Sequence, residues 1–265
     1  MLELLAAASL LTAQPACAPI NGSDALLARP ERILVVGETH GNVETPAAFL
    51  AIVCAAAQQG PVTVGLEMPE SDRGLLDFVM AAPDEASATR YLRGGDFGDP
   101  RRDDGRNSQA MFDMIIGFWR LKAAGHDIVL RPFAARMSVI RGRPQAWWEL
   151  EMAYGMSRPL VDRPDARLLI LVGNLHARKT VFERWPEVGL PAAGHLHAAD
   201  TLTLRVTQQG GQSWSCQEEC RAHDSRAVDD PDARGIILGP VDDGAYDGVL
   251  AVGPTTASPP AALAD

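Results

Sequence analysis

The sequence predicts an α/β fold with a mainly parallel central sheet flanked by helices and a small antiparallel addition near the C-terminus. Three observations carry this. Short apolar runs alternate with longer amphipathic ones along most of the chain. Two of those runs, Ile33-Leu34-Val35-Val36 and Leu168-Leu169-Ile170-Leu171-Val172, stop at a glycine. The second is wholly apolar, as expected of a central strand covered on both faces.

The elements follow in order. Residues 32–37 form a β-branched strand, and residues 45–59 a helix with Pro46 in its first turn and Gly60 past its end. Residues 61–67 are the next strand, ending at Glu67. Ser71 can cap the helix that runs through Met80, with Asp72 in its first turn. Residues 94–106 are a polar loop rich in turn residues, followed by a helix over 107–124 and a strand over 127–133. Residues 145–160 read as a helix, with Trp147, Trp148 and Met152 as packing residues, and 167–173 as the central strand. A short helix is expected over 176–185, a half-buried strand over 201–207, a turn at Gly210-Gly211 into a strand around Trp214, and a last strand over 248–253. The tail, residues 254–265, reads as flexible. With no repeat or linker in between, residues 19–253 read as one domain.

The chain has 265 residues, 46% hydrophobic and 22% charged, enough to bury a substantial core. Its net charge of -10 argues against nucleic acid and anionic membrane surfaces as partners. A small molecule or a peptide is the expected partner. The apolar stretch over residues 4–13 has the length of a signal-peptide core and is too short to span a bilayer. Ala16-Cys17-Ala18 offers a cleavage site, so residues 1–18 read as a leader and the protein as exported to the periplasm. The residues before Cys17 do not favour lipid anchoring there. Cys216 and Cys220 are close enough for a local disulfide, a metal pair being the rival reading without further ligands nearby. Cys54, in an Ala-rich helical run, reads as an inert core thiol.

Two strands end alike, in Val36-Gly37-Glu38-Thr39-His40-Gly41 and Val172-Gly173-Asn174-Leu175-His176. In open α/β sheets, ligands bind beyond the carboxyl ends of the strands. Glu38, His40, Glu67 and His176 are therefore expected at one edge. A histidine there can take a proton from water, and a neighbouring carboxylate can orient the ring and raise its basicity. The same four residues could instead hold a divalent metal that activates water. Spacing leaves both open. Arg131, at its strand end, is a candidate anion or oxyanion stabiliser. Glu44 and Asn174 complete the candidate substrate contacts, although Glu44 also suits a helix start. His195 and His197 are two apart and would share one face of a strand-like segment. His126 and His223 lie in polar turn contexts. No nucleophile elbow, dinucleotide fingerprint or P-loop is present.

At Gly37-Glu38-Thr39-His40-Gly41, at Glu67 and at Gly173-Asn174-Leu175-His176 the chain resembles the superfamily of erythromycin esterase, the ChaN haem-binding lipoproteins and the Tiki/TraB proteins. The resemblance spans roughly residues 31–197 in element order and implies that the four residues cluster. In esterase-like members the histidine matching His40 is a general base on water, helped by the matching carboxylates. This implies a hydrolase acting on an ester or amide. The alternative implied by the ChaN branch is a haem- or metal-binding protein without catalysis.

Overall fold

In a computed structural model, residues 17–134, 140–227 and 230–264 are described. The apolar runs become strands β1 (Ile33–Glu38), β2 (Val62–Pro69), β3 (Ile128–Ala134), β4 (Arg167–Gly173), β5 (Thr201–Cys216), β6 (Cys220–Asp224), β7 (Gly235–Val241) and β8 (Tyr246–Thr255). They form an eight-stranded sheet in the order β3-β2-β4-β1-β5-β8-β7, with β6 paired to β5. The β2–β3, β2–β4, β1–β4, β1–β5 and β5–β8 pairs are parallel. β7 lies antiparallel to β8, and β6 to β5. This is the α/β class expected, including the antiparallel C-terminal addition.

Helices cover the sheet because their apolar faces need it. On one side lie α1 (Ser23–Leu27), α2 (Glu44–Ala57), α3 (Arg73–Met80), α4 (Glu85–Arg93) and α5 (Gln109–Ala123), whose Phe49, Leu76, Leu92 and Phe118 are buried with Val36, Val64 and Leu171. On the other, α6 (Gln145–Ser157) packs Met152, Ala153 and Met156 against Val35, Ile170 and Val172. α4 and α5 are capped by the side chains of Asp84 and Ser108. α3 is preceded by a 3-10 turn at Glu70–Asp72, so Asp72 rather than Ser71 takes the cap position, and its side chain makes no cap bond.

Several expectations are corrected. Gly210 and Gly211 do not turn the chain. Both take positive φ and bend β5 without ending it, and a Cβ at Gly211 would fall 2.1 Å from the Thr255 carbonyl oxygen. The hairpin comes later, where Cys216 pairs with Cys220 both in the ladder and through a disulfide. Residues 176–185 form no regular helix. Lys179 donates its backbone N–H to Ala245 and pairs with Asp247, which ties the segment to the β7–β8 turn. Residues 254–264 are not frayed. β8 runs to Thr255, Gln109 donates its N–H to Pro259, Arg93 donates to the Ala261 carbonyl, and Ser258 and Ala261 are buried.

Cys54 is not a free thiol, for it is bonded to Cys17. The leader expected over residues 1–18 falls mostly outside the described residues. Cleavage after Ala18 would remove Cys17, so that boundary and this disulfide exclude one another, as do the disulfide and a lipid on Cys17. The bond closes a separation of 37 residues. Under oxidising conditions, Cys54→Ser should lower the unfolding free energy by about 3 kcal/mol, read from the urea midpoint. Equal midpoints would mean that the bond contributes nothing. Among the described residues, no helix is long and apolar enough to cross a membrane.

Candidate functional site

Parallel pairing puts the carboxyl ends of β2, β4 and β1 side by side, with Glu38 opposite Gly173 in the ladder. Glu38, the last residue of β1, is buried, and its Oε1 lies 3.0 Å from Nδ1 of His40. The other ring nitrogen of His40, Nε2, faces Glu67 Oε2 at 3.8 Å. Glu67 is fixed in turn, since Oε2 accepts the Gly173 N–H at 2.8 Å. A Cβ placed on Gly173 would lie 3.4 Å from His176 Cδ2, 3.5 Å from His40 Nε2 and 3.6 Å from Glu67 Oε2. The four residues thus converge around this glycine.

His176 is held from behind by a residue that sequence reasoning missed. Glu149 of α6 is fully buried, and its Oε2 lies 2.8 Å from His176 Nδ1 and accepts the Ala192 N–H at 3.0 Å. Gln145 donates to its other oxygen. The signal was present: Glu149, Met152, Ala153 and Met156 share the buried face of one helix, and a carboxylate on such a face needs a partner.

Arg106 was also missed, because it sits in the polar loop before α5. Its guanidinium is bound to Asp104 Oδ2 at 2.8 and 3.2 Å and lies 3.8 Å from Glu67 Oε1. The loop is clamped over the site by the β5–β6 hairpin, where the Trp214 indole N–H donates to the Asp103 carbonyl at 2.8 Å. Gly41, next to His40, makes this closeness possible. It has φ +78°, a Cβ there would meet the Trp214 carbonyl oxygen at 2.1 Å, and its own carbonyl accepts from Trp214 and Ser258.

These contacts set the protonation of the site. Burial alone would lower the pKa of His40, but the charge and hydrogen bond of Glu38 and the charge of Glu67 outweigh it and raise the ring to about 9, against opposition from Arg106. Burial likewise works against His176, and the Glu149 hydrogen bond with the charges of Glu67 and Glu149 raises it. Asp104 is held low: burial is outweighed by Arg106. Because the folded pKa of His40 is raised, its stabilisation is complete below pH 6.5 and is lost as pH rises through about 9. With the ring 29% exposed, the loss should be about 2 kcal/mol, measurable as a fall in unfolding free energy between pH 6 and 10 that His40→Asn removes.

The other candidates lie elsewhere. Arg131 pairs with Asp77 at 3.1 Å and lines a separate cavity with Glu70 and Arg158. It sits opposite Gly65 on the outermost strand, short of the level of Glu67. Glu44 begins α2, accepts the Thr256 N–H at 2.9 Å and lines a different cavity, with Ala47 and Arg234. Asn174 is adjacent but braces the edge: its N–H donates to the Glu38 carbonyl and its side-chain amide to the Val206 carbonyl. His195 and His197 fall in or beside 3-10 turns, not on a strand, and His197 pairs with Asp200. His126 is buried against the Ala57 carbonyl, and His223 faces the Glu219 carbonyl.

A cavity of about 270 Å³ opens against Glu67 and His176. Met68, Trp148 and Met152 give it an apolar part, and Asp72, Asp96, Arg102, Asp104 and Arg106 a charged one. As placed, no three of Glu38, His40, Glu67 and His176 bring their ligand atoms together around one point. Among the described residues the group that does is Asp103, Cys216 and Cys220, whose sulfurs are joined to each other and offer no thiolate.

Neither a protein-family model nor a curated protein matches the chain in sequence. Solved structures do match in shape. A mutant of erythromycin esterase EreC in its open conformation aligns over 87% of this chain and 92% of its own, with TM-score 0.63 and 11% identity. A Bacillus cereus protein aligns over 92% and 94%, with TM-score 0.62 and 12% identity. A succinoglycan biosynthesis protein aligns over 90% and 91%, with TM-score 0.62 and 8% identity. At such identities the likeness is one of fold, and the chain has the fold of erythromycin esterase.

Proposed function

We propose that the protein is a hydrolase that activates water with Glu38, His40 and Glu67 against an ester or amide of a small molecule or peptide. The observation that carries this reading is the bound pair of Glu38 and His40, with Nε2 left facing Glu67 at 3.8 Å. That gap is too long for a direct hydrogen bond, and a water lying off the line between the two atoms would reach both.

In the reaction, the water oxygen attacks the carbonyl carbon while its proton passes to Nε2. The imidazolium so formed is stabilised by Glu38 and Glu67. Arg106 supplies positive charge toward the oxyanion, and His176, oriented by Glu149, binds substrate or assists proton transfer. The proton on Nε2 then goes to the leaving oxygen or nitrogen as its bond to the carbonyl carbon breaks. Because His40 is mostly protonated at neutral pH, the rate should rise toward alkaline pH. The test is turnover of a series of 4-nitrophenyl esters in buffer containing a chelator. Hydrolysis supports the reading, and inertness toward every ester of the series would count against it.

We further propose that the protein works outside the cytosol. Two disulfides, Cys17–Cys54 and Cys216–Cys220, support export to an oxidising compartment.

A further inference from the structure

The cavity beside Glu67 and His176 contains a carboxylate whose partner is missing. Its two arginines are each taken: Arg102 is engaged by Asp96 at 3.2 Å and Arg106 by Asp104 at 2.8 Å. Glu67 accepts from Gly173 and faces His40. Asp72 is the exception. Its Oδ2 is buried and has no hydrogen-bond partner, and its Oδ1 has only a long contact of 3.4 Å from the Ser71 hydroxyl.

The local geometry makes this more than an idle surface acid. Asp72 occupies the cap position of α3, where an aspartate usually accepts a backbone N–H of the first turn. Here it makes no such bond and lines the cavity instead. Burial and the neighbouring Asp96 raise its pKa, opposed by Ser71 and Arg102. A buried acceptor left unpaired is costly, and a rotation of the carboxylate that brings this oxygen to a donor arriving with a ligand would remove that cost. The cavity also has an apolar part in Met68, Trp148 and Met152.

We infer that Asp72 is a specificity residue which binds a protonated amine of the substrate, so that the preferred ester or amide carries an ammonium group beside an apolar segment. This rests on the hydrolase reading for the reaction, but the amine subsite itself can be tested without turnover.

The test compares 4-nitrophenyl 6-aminohexanoate with 4-nitrophenyl heptanoate, in which a methyl group replaces the ammonium. The wild-type protein should favour the amine ester in kcat/KM by roughly tenfold to hundredfold, the worth of one charge-assisted hydrogen bond. Asp72→Asn should bring that ratio close to one. Acetylating the amine of the substrate should do the same to the wild-type protein, which keeps the test independent of how the variant folds. In parallel, calorimetry with hexylamine should show binding to the wild-type protein and none to Asp72→Asn. Hydrolysis of both esters without preference would overturn the amine subsite and leave the hydrolase reading standing. Hexylamine binding that requires Asp72, with neither ester hydrolysed, would support the subsite and remove the hydrolase reading. Equal hexylamine binding by both proteins would overturn the subsite.

Discussion

His40→Asn is expected to cut ester turnover by about a thousandfold or more, in the range lost when a general base is removed. Asparagine is the informative replacement because its side-chain amide can still donate to Glu38, which is buried and bound to the ring at 3.0 Å. Alanine would leave that carboxylate without a partner and mix loss of stability with loss of chemistry. The measurement is kcat/KM on the ester series, with circular dichroism to establish that the variant is folded. Turnover within a few-fold of the wild-type rate would remove His40 from the mechanism.

Glu149→Ala is expected to be the most destabilising single change at the site. It deletes a fully buried carboxylate and strands the Ala192 N–H, His176 Nδ1 and the Gln145 amide. Breaking a buried pair of this kind costs about 3–5 kcal/mol. Glu149→Gln keeps the shape and should cost much less, while removing the charge that helps hold the pKa of His176 up. NMR titration of the His176 ring separates positioning from mere packing. In Glu149→Gln its pKa should fall, and an unchanged value would mean that Glu149 is structural only.

How far the sequence could be read depended on how local each feature is. β1 and β4 were legible because their apolar runs stop at Gly37 and Gly173, and parallel order then carries Glu38, His40 and His176 to one edge. Glu67 could be placed at a strand end, but its bond to the Gly173 N–H belongs to the packing of β2 beside β4. Arg131 shows the limit of that logic: it too lies toward a strand end, yet β3 is the edge strand and its register stops the side chain short of the site.

Arg106 was hidden for a different reason. Nothing within a turn-rich loop says which neighbour will clamp it, and here the clamp is Trp214, more than a hundred residues later. The C-terminal segment was misread in the same way. Its Ala, Pro and Ser composition suggests a loose tail, while Ser258 donates to Gly41 and Pro259 accepts from Gln109 across the fold. Cys17 and Cys54 looked unrelated in sequence and meet only once α1 and α2 are packed.

The proposed chemistry requires His40 to be a proton acceptor tuned by Glu38, and the pH dependence of kcat/KM tests this most directly. In buffer with a chelator, the wild-type rate should rise with pH through a single ionisation near the raised value of about 9. In Glu38→Gln the rise should move to lower pH, because the largest charge holding the proton on the ring is gone. A profile that is flat over this range, or one that Glu38→Gln leaves in place, would contradict the assignment.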